Sequence, residues 1–358
     1  DVTLTAEAGY VAPRNDTEAA LVDIWSEVLG FKNDVIGVHD NFFELGGNSL
    51  LAVNLMSKIN HEFSFSFPLS ILFKASNIAQ LSQMIGNKID FTFDVLVPLQ
   101  EKGTKTPIFG VPGIGGSILS LQPLSSALGV DQPFYGLQTV GLDGKEPILE
   151  SIEAIAALNV EKVLSVQKTG DFRLIGHSFG GVVAFEMARI LTRQGKKVSS
   201  LVLIDSFAPQ VIQQNPKSND TELLCELCSV VADLFDVGLA LDPRQLATID
   251  WSDQVKTILE QMKTHNLEMD KGQFEILFNI YRVNQDSYHT YHPASKLKKT
   301  DLHLFTAVNA NLDIGEDYGW NELVEKPVSI HPVVGDHFSM MERENVKEIA
   351  KKLYHIDK

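Results

Sequence analysis

Ahead of residue 90, apolar residues recur with a helical period. Leu21, Ile24, Trp25, Val28 and Leu29 form one stripe between a capping box, Asn15 with Glu18, and a terminating Gly30. A second helix is expected from about Ser49, its face marked by Leu51, Leu55 and Ile59. A third follows Pro68 and carries Leu69, Leu72, Phe73, Ile78, Leu81 and Ile85. Stripes of this kind are buried by packing helix on helix, so a small all-α bundle is expected.

From residue 95 the texture changes. Val95 to Leu99, Ile108 to Val111, Phe172 to Ile175, Leu201 to Ile204 and Leu302 to Val308 are short, mainly apolar runs, the fourth of them continuous, as expected for buried strands. Helical periodicity lies between them. After Gly180, Val183, Met187 and Leu191 recur at i, i+4 and i+8, and Gly195 closes the run. Strands alternating with helices predict an α/β domain with a parallel sheet. Residues 211 to 298 are too many for a plain connection. Their pattern is helical, from Asp220 to about Phe235, Ser252 to about His265 and Gln273 to Tyr288. Phe274, Phe278 and Tyr281, with Leu234, Phe235 and Leu277, either line a channel there or pack.

Gly176-His177-Ser178-Phe179-Gly180 fits G-x-S-x-G between a strand and a helix, a sharp elbow that lifts a serine hydroxyl over a helix N-terminus. A serine nucleophile needs a base, and the base needs an orienting acid. Asp205 ends the run Leu201 to Ile204, and His337 follows Val333-Val334-Gly335-Asp336, giving the order Ser, Asp, His of α/β hydrolases. Asp313 and Asp317, after the run ending at Val308, are rival acids. Two N–H donors would receive an oxyanion, that of Phe179 and that of Ile114, in the loop Pro112-Gly113-Ile114-Gly115-Gly116. The spacing of that loop fits neither glycine-rich phosphate-binding pattern.

Ser49, in Leu45-Gly46-Gly47-Asn48-Ser49-Leu50, has two readings. A serine at the head of an amphipathic helix is a natural N-cap. The same position offers free N–H groups and partial positive charge to an anion, which suits a serine bearing a phosphodiester.

The formal charge of −16 argues against nucleic acid and anionic membrane surfaces as partners. Residues 1 to 88 hold ten acidic and five basic side chains, a balance that serves solubility and also docking on basic partner surfaces. Cys225 and Cys228, the two cysteines, read as reduced core residues. A zinc site needs more ligands nearby, and a disulfide within one helical turn is poor geometry, so no metal is expected. No apolar run reaches the roughly 20 residues of a membrane span and no signal peptide is evident, which makes the cytoplasm the expected compartment.

Asp40-Asn41-Phe42-Phe43-Glu44-Leu45-Gly46-Gly47-Asn48-Ser49-Leu50 closely resembles the phosphopantetheine attachment site of peptidyl carrier domains in nonribosomal peptide synthetases. Gly176-His177-Ser178-Phe179-Gly180-Gly181, the strand ending at Asp205, and Gly335-Asp336-His337 resemble the type I thioesterase that ends such assembly lines. The resemblance implies an α/β-hydrolase thioesterase domain over residues 95–358, with a helical lid over about 211–298. Ahead of it stand a carrier domain over 13–88 and a linker over 89–94, which at about 3.3 Å per residue keeps the carrier close. Residues 1–12 would be the tail of an upstream adenylation domain, and the lack of a starting Met fits a piece of a longer protein.

By the same resemblance Ser49 holds 4′-phosphopantetheine, and Ser178, Asp205 and His337 are a catalytic triad. The partners implied are upstream condensation and adenylation domains, a phosphopantetheinyl transferase, and an acyl or peptidyl thioester. The oxyanion loop often begins with His-Pro in this family, whereas here it is Val111-Pro112. A polyketide or hybrid release unit, and a hydrolase fused to a helical docking module, are the alternatives.

Overall fold

A computed structural model describes residues 10–32, 35–65, 67–87, 93–235, 237–239, 241–265, 267, 269–308 and 314–356, with the side chains of residues 49, 50, 234 and 235 excepted. Residues 1–9 of the expected tail, residues 89–92 of the expected linker, and Asp313 lie outside the described residues. Two compact units result, Asp1–Phe93 with Ser252–Lys271, and Asp94–Trp251 with Gly272–Lys358.

In the first unit, helix α1 (Asp16–Leu29) starts where Asn15 Oδ1 accepts the Glu18 N–H at 2.9 Å. Glu18 turns its own carboxylate to Arg14, accepting the backbone N–H at 2.8 Å and pairing with the guanidinium at 2.6 Å. The acidic half of the capping box thus serves the residue before the cap. Gly30, at φ 73°, ends the helix in the left-handed region that glycine enters without a steric penalty. Helix α2 (Ser49–Phe63) follows.

The single helix expected after Pro68 is two, α3 (Ile71–Lys74) and α4 (Ile78–Gly86). Asn77 is the reason. It sits in extended backbone and accepts the Gln80 N–H at 2.9 Å, a fresh N-cap that restarts the chain while the apolar stripe continues. Leu21, Trp25, Leu55, Ile59, Leu72 and Leu81 are fully buried, each contributing about 2 kcal/mol of transfer free energy. Phe42 meets Trp25 edge-on at 5.3 Å.

The second unit holds β1 (Leu96–Gln100), β2 (Ile108–Val111), α5 (Gln122–Ala127), β3 (Phe134–Leu137), α6 (Ile152–Val166), β4 (Asp171–His177), α7 (Phe179–Arg193) and β5 (Lys197–Ile204). The insertion then runs through α8 (Pro209–Ile212), α9 (Asp220–Phe235), α10 (Pro243–Leu246), α11 (Trp251–Thr264) and α12 (Lys271–Thr290). The chain ends with β6 (Asp301–Ala307), β7 (Ser329–Val333) and α13 (Val346–Ile356). Compactness divides the insertion, grouping nearly all of α11 with the first unit.

The sheet order is β1-β3-β2-β4-β5-β6-β7, with β1 antiparallel to β3 and every other pair parallel. Chain order reverses between β2 and β4, and α/β sheets open a crevice at the carboxyl ends of the strands at such a switch point. Helix α7 is buried continuously from Phe179 to Leu191. Its two buried charges, Glu186 and Arg189, pair with each other. The Tyr291 hydroxyl donates to Glu186, and Arg189 donates to Ser295 Oγ at 3.2 Å, so the buried ions are compensated.

Candidate active site

Ser178 stands between β4 and α7 at φ 54° and ψ −126°, a conformation costly for a residue with a Cβ. Tertiary contacts impose it. The Ser178 N–H donates to Ile204 O at 2.9 Å, tying the elbow to the end of β5. A Cβ on Gly180 would lie 2.3 Å from Pro112 O and 2.4 Å from Val111 O, so only glycine lets the first turn of α7 approach the end of β2. The Ser178 side chain makes no capping bond to its helix, which leaves the hydroxyl available for chemistry.

Asp205 and His337 meet although 132 residues separate them, with His337 Nδ1 2.7 Å from Asp205 Oδ2. The other Asp205 oxygen accepts the Ala307 N–H at 3.1 Å and the Tyr318 hydroxyl at 3.2 Å. Burial alone would raise this carboxyl. The hydrogen bond and charge of His337, with the Ala307 N–H, outweigh burial and hold it below the ordinary carboxylate range. A carboxylate beside Nδ1 fixes the proton there and leaves the lone pair on Nε2, the tautomer a general base requires.

Asp336 shapes the turn that delivers His337 by accepting the N–H groups of Phe338 and Ser339 at 3.0 and 2.9 Å. The rival Asp317 is spent locally, accepting from Gly319 N and Asn321 N at 3.3 and 3.0 Å.

His177, beside Ser178, is buried and stacks on His337 with ring centroids 5.1 Å apart. Burial first, then the charge of His337, pushes its imidazole down to about 4. Neutral at physiological pH, it donates from Nε2 to His337 O at 3.2 Å and so braces the His337 loop.

The loop after β2 lies against this group, since a Cβ on Gly113 would stand 3.7 Å from Ser178 Cβ. Gly116 N donates to Gly113 O at 2.9 Å, closing a turn with Ile114 at its second position. Phe179 is the first residue of α7, where backbone N–H groups have no partner within the helix. The two expected oxyanion donors therefore flank the elbow.

In the other unit, Asn48 is the N-cap of α2, in extended backbone and accepting the Leu51 N–H at 3.0 Å. Ser49 is the first helical residue, so the capping role open to it is taken by its neighbour; its side chain lies outside the described residues. Gly47 N donates to Phe42 O at 2.9 Å, and a Cβ on Gly47 would lie 2.4 Å from the Phe42 ring. Asn41 Oδ1 accepts the Phe43 N–H at 2.9 Å. The residues around this serine are the parts of the turn that aims α2.

The sequence profile of the thioesterase domain family matches residues 106–356. The chain belongs to that family. A second profile, for the phosphopantetheine attachment site, matches residues 19–85. Chondramide synthase cmdD of Chondromyces crocatus is 30% identical over 366 residues, 99% of this chain and 9% of that protein. Indigoidine synthase of Dickeya dadantii is 29% identical over 347 residues, 95% of this chain and 23% of that protein. This chain spans a quarter or less of the length of these curated relatives.

The crystal structure of holo-AB3403, a four domain nonribosomal peptide synthetase bound to AMP and glycine, has a TM-score of 0.72 at 28% identity, covering 98% of this chain and 27% of that one. The NocB thioesterase domain, at 19% identity with a TM-score of 0.55, covers 74% of this chain and 100% of its own, and shares the fold. The pair of domains is thus that of nonribosomal peptide synthetases, a carrier that bears 4′-phosphopantetheine covalently and an α/β-hydrolase thioesterase with a helical insertion.

The carrier residues fit a phosphodiester at Ser49. Helix α2 has no acidic residue in its first turn, and its N-terminal partial charge favours an anion. In the thioesterase domain the insertion aromatics Phe274, Phe278 and Tyr281 are buried, while the side chains of Leu234 and Phe235 lie outside the described residues. Cys225 and Cys228 are free thiols, and burial pushes Cys228 up to about 12, which leaves it inert. Among the described residues no helix is long and apolar enough to cross a membrane, and no group of three or more His, Cys, Asp or Glu is placed to hold a metal.

Tyr318 had no signal in the sequence. Its hydroxyl reaches Asp205 across 113 positions, held by the neighbouring Trp320, whose indole N–H donates to Ser206 O at 2.7 Å. His177 lay inside the elbow motif, but its role depends on the fold of the His337 loop.

Proposed function

We propose that this chain is a release unit of a nonribosomal peptide synthetase, in which Ser178, His337 and Asp205 cleave an acyl or peptidyl thioester. The observation that carries the reading is the 2.7 Å contact of His337 Nδ1 with Asp205, at the carboxyl ends of the strands that also deliver a strained, uncapped Ser178. His337 Nε2 takes the Ser178 proton as Oγ bonds to the thioester carbonyl carbon. The oxyanion is met by the N–H groups of Phe179 and Ile114. The carbon–sulfur bond then breaks, the sulfur leaves with the proton held by His337, and an acyl ester remains on Ser178. Water, or an amine or hydroxyl of the acyl chain itself, gives its proton to His337 and attacks that ester, restoring Ser178. Asp205 orients the imidazole throughout and stabilises its charged form.

Ser49 is proposed as the attachment residue of the carrier. When attached, phosphopantetheine supplies a thiol that carries the acyl chain as a thioester. A transferase would load it, and condensation and adenylation domains would supply the chain. The test is peptide-level mass spectrometry after treatment with coenzyme A and a promiscuous phosphopantetheinyl transferase, together with turnover of a soluble acyl thioester. We expect an adduct on Ser49, absent in Ser49→Ala, and turnover abolished by Ser178→Ala but retained by Ser49→Ala. Folded protein without an adduct would make the bundle a docking module, and undiminished turnover by Ser178→Ala would end the catalytic assignment.

A further inference from the structure

Helix α12 touches both sides of the proposed oxyanion site. Asn284 and Tyr288 lie four residues apart, on one face of the helix. Asn284 is fully buried, and its Nδ2 donates to Ile114 O at 2.7 Å. The Tyr288 ring meets Phe179 edge-on at 5.8 Å, and its hydroxyl donates to Phe207 O at 2.7 Å. Leu277, two turns earlier on the same face, stands 4.0 Å from where a Cβ on Gly115 would be.

Resting on the reading of Ser178 and its oxyanion donors given above, we infer that Asn284 is a positioning residue: it holds the Ile114 peptide in donating geometry and makes the oxyanion site complete only while α12 is seated. Ile114 is flanked by Gly113 and Gly115, which offer little steric resistance to a turn of the peptide planes. The other bonds of the loop, Gly116 N to Gly113 O and Thr139 N to Gly116 O, do not engage Ile114. Among the described residues the Asn284 amide is the group that bonds the Ile114 carbonyl. Because a peptide is planar, anchoring that carbonyl fixes the plane it shares with the Gly115 N–H and pins the Ile114 Cα, so that the Ile114 N–H on the other side of Cα is left only the rotation about its own N–Cα bond.

The other end of the same amide marks Asn284 as more than packing. Among the described residues its buried Oδ1 has no hydrogen-bond partner, an arrangement that apolar packing would avoid. An amide kept at that cost is kept for its donor. Displacement of α12 would release Ile114 and the Phe179 ring together, so seating of the insertion and readiness of the oxyanion donors are one event.

The test uses the full chain, a soluble acyl N-acetylcysteamine thioester, and an alkyl boronic acid whose tetrahedral adduct on Ser178 presents an oxygen to the same donors. Asn284→Asp keeps the size and removes the donor when ionised, and Asn284→Leu removes it outright. We expect kcat to fall about 10- to 100-fold in both, KM to stay within about twofold, and boronate affinity to fall by the same factor as kcat. Parent-like kcat and boronate affinity in folded Asn284→Leu, or in folded Asn284→Asp at every pH from about 6 to 9, would overturn the inference, as would a rise in KM with kcat intact. If Asn284→Leu does not fold, Asn284→Asp decides alone. Ser178→Ala run in parallel separates the two levels: an inactive Ser178→Ala beside a parent-like Asn284→Asp removes only this inference, whereas an active Ser178→Ala removes the catalytic reading beneath it.

Discussion

Both candidate serines stand at the start of a helix, and the two helices begin in opposite ways. At α2 the cap is Asn48, relaxed in extended backbone at φ −130° and ψ −176°, with Ser49 just inside the helix. At α7 Ser178 is itself the boundary residue, at φ 54°, and makes no cap bond. The first start is built from neighbours in sequence, Asn41, Phe42, Gly47 and Asn48. The second is built from distant segments, the end of β2 against Gly180 and the end of β5 holding the Ser178 N–H. On the proposed roles, a serine that only has to carry a group would sit at a locally encoded helix start, and one that must attack would be held in strained backbone by the sheet.

The sharpest way to break this comparison is to place glycine at each serine. Ser178→Gly should lower thioester turnover by about 10⁴-fold or more and raise the stability of its unit by about 1 kcal/mol, because the positive φ costs glycine nothing. Ser49→Gly should lose the phosphopantetheine adduct with no gain in stability. A Ser178→Gly protein no more stable than its parent in denaturant titration would show that the elbow is not strained. Next in size, Asp205→Asn should cut kcat by about 10³- to 10⁴-fold, since an amide facing Nδ1 favours the tautomer with its proton on Nε2. Retention of more than a tenth of parent kcat would argue against Asp205 as the orienting acid.

The pH dependence of stability should also separate the two regions. His177 titrates near 4 when folded and near 6.5 as a free imidazole, so between these values the unfolded chain holds the extra proton. The stabilisation is fully present above about pH 6.5 and is lost as pH falls toward 4, about 3 kcal/mol in all. His177→Gln should flatten that slope in the thioesterase unit and leave the carrier unaffected. An unchanged slope by chemical denaturation at pH 7 and pH 4.5 would remove His177 as its source. The smallest effect is expected at the local start, where Asn48→Ala should destabilise the carrier by about 1 kcal/mol and leave soluble-thioester turnover at the parent value. A matching fall in turnover would show that the helix start is not independent.

Much of the architecture was legible because it rests on short-range pattern. The stripe through Leu21 and Trp25, the apolar runs that became β2, β4, β5 and β6, and the insertion helices near Asp220, Ser252 and Gln273 all follow from periodicity and caps. The helix after Pro68 misled because the apolar period runs on through Ser76 and Asn77, where a competing cap breaks the chain. Within the candidate site, the elbow at Ser178 and the late loop carrying His337 were legible from motif and order. Asp205 had rivals, because the choice among carboxylates depends on which strand end faces His337. Tyr318 and Asn284 carried no signal, since each acts on a residue more than 100 positions away.

By itself, then, the sequence determined the two kinds of domain, the turn that starts α2, and the elbow that presents Ser178, because caps, glycines and apolar periods act over a few residues. Only the tertiary structure decided which aspartate meets His337, how His177 and Tyr318 brace that pair, and what holds the Ile114 peptide. Those outcomes depend on hydrogen bonds closed across the sheet and the insertion, and a bond between distant segments has no geometry until the chain between them has folded.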